Sequence, residues 1–409
     1  MEAKLHLAVI GYGTAGQAAA VLLARDGHRV EVFERVPEPG PVGAGLLLQP
    51  TGLQVLWRMQ LLIPALVHGA PIRRLYGEAA AGCAVMDMCY AGLDRRLFGL
   101  GMQRGALFSL LANALPDEVQ LHRGTGVVRV DHTLGLVHDE HGRIHGTFDL
   151  VVAADGSASQ LRQQVEATRL DRVYPWGALW CLVPLGDWVW NDELRQRYVA
   201  ARRMVGLLPV GTRPGNNQPM LSFFWSLPMT EFERWQQRGV PAWLEDVGAL
   251  WPEAASRMHG ITACGQLAQA SYRDTTMKRW YRDRLVLMGD AAHSMSPQLG
   301  QGVNMALMDA LALRDALRMP GNLDSALAHY QAQRQRHVSL YQFLSRWLTP
   351  LFQSNLDLVA KVRDVSFLPM GRLPGSRGHM LRVLSGTQQG YMGKLQLDPG
   401  FMAALADNP

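Results

Sequence analysis

The pattern of apolar and polar positions predicts short buried strands that lie far apart along the chain. Near the N terminus, residues 5–10 form an apolar run, 15–25 are rich in Ala and Leu as in a helix, and 29–33 alternate. Two later runs, at 150–154 and 284–288, have the uniformly apolar character of strands buried on both faces. We therefore expect these strands to form one sheet, assembled from separated parts of the chain.

An aromatic segment interrupts this pattern. Eight of the eleven tryptophans lie between Trp176 and Trp251, where strand-like runs at 176–183 and 220–227 precede an amphipathic helix after Thr230. We expect a separate sheet domain here, inserted into the first one.

The expected fold is α/β, with a Rossmann-like parallel sheet, an inserted mixed or antiparallel sheet and C-terminal helices. Long helices are predicted at about 300–318 and 322–347, and helical periodicity continues after Thr349, broken by Pro369 and Pro374. The predicted domains are a discontinuous one over 1–174 and 271–350, an inserted one over 175–270 that a small segment near 70–100 accompanies, and a helical tail over 351–409.

Composition and charge narrow the class of protein. With 48% hydrophobic and 18% charged residues in 409, the chain is too apolar for disorder. The net charge of +5 arises from scattered arginines, with no basic run that would indicate nucleic-acid binding. The pattern predicts neither a membrane span nor a signal peptide, so we expect a cytoplasmic protein. The four cysteines are too widely spaced to predict a metal site or a disulfide framework.

The first candidate for chemistry is the turn Gly11-Tyr-Gly13-Thr-Ala-Gly16, between the first strand and its helix. Glycines at these positions permit a tight turn, the close approach of a pyrophosphate and close packing of helix on strand. The helix N terminus offers free N–H groups to phosphates, and Glu34 ends the next strand, where ribose hydroxyls would lie. The motif predicts dinucleotide binding but does not by itself separate NAD from FAD.

A second motif follows the last buried strand, where Gly289-Asp290 leads through Pro297 to Gly300-Gln-Gly-Val-Asn304 and a helix. A carboxylate at a strand end can hold a polyol chain, and a glycine-rich turn that opens a helix can face an oxyanion. Flavin offers both partners, but on spacing alone an ordinary turn in which Asp290 only caps a helix is an equally good interpretation.

Two further features have no functional meaning when each is taken alone. Asp155-Gly156 follows the strand at 150–154, with Arg162 one turn into the next helix. Arg104 opens a predicted helix at 104–115. An ordinary strand-to-helix turn explains Asp155-Gly156, and a surface charge explains Arg104, better than a functional role does.

Taken together and in this order, the motifs resemble those of the single-component FAD-dependent aromatic hydroxylases, the class A flavoprotein monooxygenases of the p-hydroxybenzoate hydroxylase type. The chain looks most like the shorter bacterial members that resemble phenazine-1-carboxylate and salicylate hydroxylases. The stretches 41–50 and 102–107 match as well, and the resemblance covers roughly residues 1–350.

The resemblance implies FAD as the cofactor, with NADH or NADPH bound only transiently in a surface groove. Glu34 would bind the adenosine ribose, Arg104 the flavin-side linker or pyrophosphate, and the Val127 backbone the adenine region. Asp290 would hold the ribityl chain, and Pro297 would face the reactive edge of the flavin. The implied FAD-binding residues are Gly11, Gly13, Thr14, Ala15, Gly16, Glu34, Arg35, Gly45, Arg104, Val127, Asp155, Gly156, Gly289, Asp290, Pro297, Gly300, Gln301, Gly302, Val303 and Asn304.

The implied reaction is hydroxylation of a phenolic or N-heteroaromatic compound by O₂ through a flavin C4a-hydroperoxide, in a monomer or homodimer. No side chain can be identified as a catalytic base from the sequence. The candidates for residues at the flavin edge are His293 and Pro297. The inserted sheet would bind the substrate, although ordinary core packing also explains its aromatic residues. The candidates for lining the substrate site are Trp176, Trp180, Phe223 and Trp225.

Other flavoprotein activities stay open at this point. A reductase or oxidase of the same fold, or a catalytically silent redox sensor, would carry the same FAD motifs. A flavin-dependent halogenase is disfavoured, because Asn191-Asp192 follow Trp188-Val-Trp190 and none of the four lysines stands in the context that the resemblance would need.

Overall fold

The structure, a computed structural model, describes residues 4–40, 43–166 and 168–408, so Pro41 and Val42 of the matched stretch 41–50 lie outside the described residues. The strands are β1 (His6–Ile10), β2 (Arg29–Glu34), β3 (Gly45–Leu48), β4 (Ala70–Ile72), β5 (Arg74–Ala79), β6 (Ala84–Cys89), β7 (Gly99–Gln103), β8 (Gln120–Arg123), β9 (Val127–Asp131), β10 (Leu136–Asp139), β11 (Ile144–His145), β12 (Leu150–Ala153), β13 (Leu170–Val173), β14 (Trp176–Pro184), β15 (Glu193–Val199), β16 (Arg203–Pro209), β17 (Met220–Pro228), β18 (Ala268–Ala270), β19 (Arg273–Thr276), β20 (Tyr281–Arg282), β21 (Leu285–Leu287), β22 (Gln388–Gln389) and β23 (Gly393–Lys394). The helices are α1 (Thr14–Arg25), α2 (Pro50–Arg58), α3 (Leu62–His68), α4 (Arg104–Asn113), α5 (Arg162–Val165), α6 (Phe232–Leu250), α7 (Pro252–Ala255), α8 (Asp290–His293), α9 (Gly302–Arg318), α10 (Leu323–Phe352), α11 (Asp357–Arg372), α12 (Pro374–Leu384) and α13 (Pro399–Ala406).

A six-stranded sheet holds the predicted buried strands side by side, in the order β20-β21-β12-β1-β2-β8. Every neighbouring pair in it is parallel except β20 with β21. The small residues of α1 allow that helix to lie close against β1 and α9, in one continuous apolar core. The α/β class with a Rossmann-like parallel sheet is therefore confirmed.

A seven-stranded sheet, in the order β18-β14-β17-β16-β15-β5-β6, contains the aromatic segment. It is mixed, because β15 pairs in parallel with β5, a strand from the segment near 70–100, while its other pairs are antiparallel. Helix α6 covers one face of this sheet. The small sheet β3-β7-β4 lies against β16 and β17. The division into domains at the predicted boundaries stays a prediction.

The C-terminal part differs from the prediction in three details. Helix α10 continues past the predicted end at residue 347, Pro369 lies inside α11 instead of breaking it, and the hairpin β22–β23 interrupts the tail that was expected to be helical. The tail returns to α2, where Asp398 pairs with Arg58 at 2.5 Å. Within the described residues, no helix has both the length and the apolar character that a membrane crossing requires.

Candidate cofactor and substrate site

The predicted cofactor motifs meet at one edge of the six-stranded sheet. Strands β2, β1, β12 and β21 are adjacent and parallel, so their carboxyl ends lie side by side. Ligands of such sheets bind at this edge, in the crevice beyond the strand ends. The residues that follow the four strands are Glu34, Gly11 to Gly16, Asp155 with Gly156, and Gly289 with Asp290.

The turn after β1 has the geometry that a pyrophosphate requires. Gly11 adopts a φ of +100°, and a Cβ there would stand 2.5 Å from the Ala154 carbonyl oxygen. A Cβ on Gly16 would stand 1.9 Å from the Gly11 carbonyl oxygen, whereas the space beside Gly13 is open. No side chain caps α1, which begins at Thr14, so its first N–H groups are available to an anion.

Glu34 is fixed at the end of β2 by backbone amides. Its carboxylate accepts hydrogen bonds from Tyr12 N at 2.8 Å and Val36 N at 2.9 Å. Thr125 N donates to the Glu34 carbonyl at 2.8 Å, which ties the segment that precedes β9 and Val127 to the end of β2. The arrangement fits the predicted adenosine end of the cofactor.

Asp155 presents a buried oxygen that has no partner among the described residues. This atom is Oδ1, and burial raises the pKa of the carboxyl group. Gly156, with a φ of +81°, leaves open space beside it. Arg162 shapes the turn from behind, because its guanidinium donates to the carbonyls of Gly156 at 3.1 Å and Ser157 at 2.5 Å. A hydroxyl or amide of a ligand would satisfy the orphaned Asp155 oxygen.

The second motif places a carboxylate beside two helix N termini. Asp290 is exposed at the start of α8, and a Cβ on Gly289 would stand 3.0 Å from the Ala15 side chain in α1. Helix α9 begins at Gly302 without a capping side chain or an acidic first turn, after Gly300 in the left-handed region. These features, together with the α1 turn and Asp155, fit FAD. Pro297 and Val303 are half-buried on the same loop and helix start.

Three other predicted cofactor residues lie where separate elements of the fold contact one another. Asn304 accepts from Gln49 N at 2.8 Å and donates to the carbonyls of Leu47 and Gly300. Gln301 donates to the Leu384 carbonyl at 2.7 Å, and Gly45 is so close to the second sheet that a Cβ would stand 2.6 Å from the Ser222 side chain. The side chains of Asn304 and Gln301 thus fix the loop around the site, and Gly45 permits the close approach of the second sheet.

Behind Gly289 lies a buried cluster that the sequence did not reveal. Asp309 accepts from Gly289 N at 2.9 Å, from His293 Nε2 at 2.6 Å and from Arg334 Nε at 2.6 Å. Burial opposes ionisation of Asp309, but His293 and Arg334 hold its pKa below the usual value. The His293 ring also packs against Trp280, so it lies in the core, and no contact supports its candidacy at the flavin edge.

The cluster continues to the C-terminal tail through His337. Arg334 donates to His337 Nδ1 at 2.8 Å, and His337 Nε2 donates to the Gly386 carbonyl at 2.9 Å. Burial, and then the charge of Arg334, lowers the His337 pKa to about 3, so the ring is neutral. Polar residues on the otherwise apolar faces of two helices were the available sequence signal for this cluster.

The aromatic candidates lie on opposite faces of the seven-stranded sheet. Phe223 and Trp225 pack against Trp243 of α6, with ring centroids 5.8 and 6.2 Å apart, inside a closed core. Their role as substrate lining gains no support from this position. Trp176 is also buried, and its Nε1 donates to the Arg202 carbonyl at 3.3 Å.

Trp180 faces the other side, where it is half-buried and its ring lies 4.7 Å from that of Phe224. Its Nε1 donates to the Tyr272 hydroxyl at 2.9 Å. Burial raises the Tyr272 pKa to about 12, although Trp180 and the charge of Arg104 act in the opposite direction. Sequence analysis missed Tyr272, because this residue lies outside the strands that carry the aromatic residues and reaches Trp180 only through the fold.

Two exposed arginines border the site without an ion-pair partner among the described residues. Arg104 opens α4, and a Cβ on Gly43 would stand 3.0 Å from its side chain. Arg35 directly follows Glu34. Both can meet an anionic part of a cofactor or substrate.

Comparison with known proteins agrees with this geometry. Residues 4–341 match the family model described as FAD binding domain. Kynurenine 3-monooxygenase from Salinispora arenicola is 30% identical over 83% of this chain and 78% of its own length. The 6-hydroxynicotinate 3-monooxygenase of Pseudomonas fluorescens is 28% identical over 85% and 93%.

Solved structures share the fold. An HpxO variant from Klebsiella pneumoniae, complexed with FAD, superposes with a TM-score of 0.79 at 23% identity, over 95% of this chain and all of the other. PqsL from Pseudomonas aeruginosa, a probable FAD-dependent monooxygenase, has a TM-score of 0.75 at 23% identity, over 90% of this chain and all of its own. The expected family and FAD as the cofactor are confirmed, and the chain belongs to the FAD binding domain family, as an FAD-dependent monooxygenase.

Proposed function

We propose that this enzyme uses NADH or NADPH and O₂ to hydroxylate a small phenolic or N-heteroaromatic compound. The observation that carries the proposal is the position of Trp180, half-buried on the face of the second sheet opposite α6 and packed against Phe224, together with the unpaired groups at the carboxyl edge of the first sheet. The named activities of the relatives, on kynurenine and 6-hydroxynicotinate, agree with a substrate of this class.

The residues at the sheet edge would bind the cofactor in parts. The α1 N terminus and Arg104 would hold phosphates, Glu34 would accept hydrogen bonds from ribose hydroxyls, and Asp290 from the polyol chain. Bound FAD would supply the redox chemistry, taking a hydride from the nicotinamide and activating O₂ for transfer of one oxygen atom.

The aromatic face would position the ring of the substrate. Trp180, packed against the buried Phe224, would offer a flat apolar wall that also excludes water. Tyr272 keeps its proton at neutral pH, because its pKa is about 12, and its oxygen already accepts from Trp180. Its O–H is therefore a donor to a ring nitrogen, phenolate or carboxylate of the substrate, and it is not a general base.

The FAD-loaded enzyme tests the proposal in a screen of phenolic and N-heteroaromatic compounds. NADH and NADPH oxidation is followed with and without each compound, and products are analysed by mass. We expect at least one compound to accelerate oxidation and to gain one oxygen. A dehydrogenated product would indicate an oxidase instead, and FAD binding without any stimulated oxidation would indicate a redox sensor.

A further inference from the structure

A second cleft lies behind the cofactor site, between α10 and the segment that joins β19 to β20. Its volume is about 460 Å³, within the usual range for small-molecule sites. Its floor is apolar and includes Trp280, Ala292 and Val338, all of them buried. Ala292 belongs to α8, so the floor is the reverse side of the helix that Asp290 opens.

Three cations surround this cleft. Arg169, Lys278 and Arg336 are exposed, and within the described residues none has an ion-pair partner. No Asp or Glu stands among the described residues that line it. The nearby Asp274 is already paired with Arg346 at 2.8 Å, so it does not neutralise the group. Like charges that converge on a concave surface without counter-charges attract an anion.

The walls are held in place by hydrogen bonds. Gln335 Nε2 of α10 donates to the Lys278 carbonyl at 2.8 Å, and Gln331 Oε1 accepts from Trp280 N at 2.8 Å. On the other side, Arg169 N donates to the Thr276 carbonyl at 3.0 Å. The backbone that carries the cations is therefore fixed before a ligand arrives, which lowers the cost of binding.

We propose that this cleft binds the phosphate groups of an organic ligand, with Arg169, Lys278 and Arg336 as the anion-binding residues. The apolar floor suits the organic part, and the volume exceeds the size of a single phosphate. The phosphates come either from the nicotinamide dinucleotide, a source that rests on the proposed function, or from another phosphate ester.

Isothermal titration calorimetry of the FAD-loaded enzyme with pyrophosphate tests the site, at an ionic strength kept constant with chloride. The test variant is Lys278→Gln/Arg336→Gln. The matched control is Lys361→Gln/Arg234→Gln, which removes one exposed lysine and one exposed arginine from α11 and α6. We expect pyrophosphate to bind the wild type, about tenfold more weakly to the test variant, and unchanged to the control.

Steady-state kinetics then identifies the source of the phosphates. A KM for NADH or NADPH that rises in the test variant with kcat unchanged assigns the site to the dinucleotide, and an unchanged KM assigns it to another phosphate ester. The proposal is overturned if the wild type does not bind pyrophosphate or if the test variant binds it equally tightly. Failure of the proposed function would instead show as the absence of an oxygenated product, whatever the result with pyrophosphate.

Discussion

Asp290 follows Gly289 in the chain and Asp309 accepts a hydrogen bond from the Gly289 N–H, yet the two carboxylates have opposite surroundings. Asp290 is exposed and, among the described residues, has no hydrogen-bond partner, whereas Asp309 is fully buried and has three. A buried carboxylate is stable only when it is paired, so Asp309 belongs to the framework. The unpaired hydrogen-bonding groups at the sheet edge remain available to a ligand. This difference in pairing separates residues of the site from residues of the framework.

The largest expected effect is a loss of stability when the buried, paired carboxylate of Asp309 is removed. Asp309→Ala would leave Arg334 and His293 buried beside a cavity, so the free energy of unfolding should fall by about 3–5 kcal/mol. Urea unfolding of the FAD-free protein measures this change. Asp309→Asn, which keeps the volume and one acceptor, should lose less. A loss below about 1 kcal/mol for Asp309→Ala would remove the distinction between the two carboxylates.

Asp290→Ala should affect FAD and not the fold. We expect the affinity for FAD to fall by about tenfold to a hundredfold, because charge-assisted hydrogen bonds to the cofactor are lost, while urea unfolding of the FAD-free protein stays unchanged. Asp117→Ala is the control, since Asp117 is an exposed acid in the turn before β8, at the amino edge of the sheet. Tight FAD binding by Asp290→Ala would refute the role of Asp290.

The buried cluster that contains Asp309 should also make the free energy of unfolding depend on pH. His337 is neutral in the folded protein because its pKa falls from 6.5 to about 3, whereas the unfolded chain takes up a proton below about pH 6.5. The unfolded state then binds more protons, so stability falls as the pH falls, by up to about 1.4 kcal/mol per pH unit from this residue.

Urea unfolding between pH 7 and pH 4 checks this dependence. His337→Gln keeps an N–H donor for the Gly386 carbonyl and should flatten the slope. His329→Gln, an exposed change on the same helix, should leave the slope as it is. An unchanged slope in His337→Gln would show that His337 is not the residue responsible.

The smallest expected effect comes from substitutions on the two faces of the seven-stranded sheet. Trp180→Phe, on the face opposite α6, should raise the KM for the aromatic substrate by roughly threefold to tenfold, through the loss of contact area and of the bond to Tyr272. Trp235→Phe, in α6 and in the core between this helix and the sheet, should lower stability but leave KM unchanged. Equal effects on KM would mean that the site does not use the face opposite α6.

Local pattern and glycine spacing were sufficient to place four strands of the first sheet side by side, together with the residues that follow them. The turn at Gly11 and the carboxylates at Glu34 and Asp290 follow their strands directly, so local sequence places them together once the strands are parallel. In the pairing of β5 with β15, Arg74 lies opposite Glu193, which is far away along the chain. No local pattern encodes a pairing between such distant residues. Sequence analysis therefore expected a segment near 70–100 to accompany the second sheet, but it could not give the strand pairing.

The face of the second sheet that we propose for the substrate could not be predicted, for a related reason. Alternation shows that Phe224 and Trp225 lie on opposite faces of β17, but the packing of α6 on one face, and of α10 and α11 on the other, decides how far each side chain is covered. The same holds for Asp309, Arg334 and His337, whose pairing depends on how α9 and α10 meet. Tertiary packing, and not the type of residue, determines whether a polar or aromatic side chain is free to bind a ligand.

The most direct test of the account supplies ¹⁸O₂ to the FAD-loaded enzyme with NADH or NADPH and an aromatic compound that stimulates its oxidation. The account predicts a product that contains one ¹⁸O atom, formed by the wild type and by Asp117→Ala, and formed by Asp290→Ala only in proportion to the FAD that this variant still binds. A product whose new oxygen comes from water, or the same labelled product from Asp290→Ala without bound FAD, would contradict it.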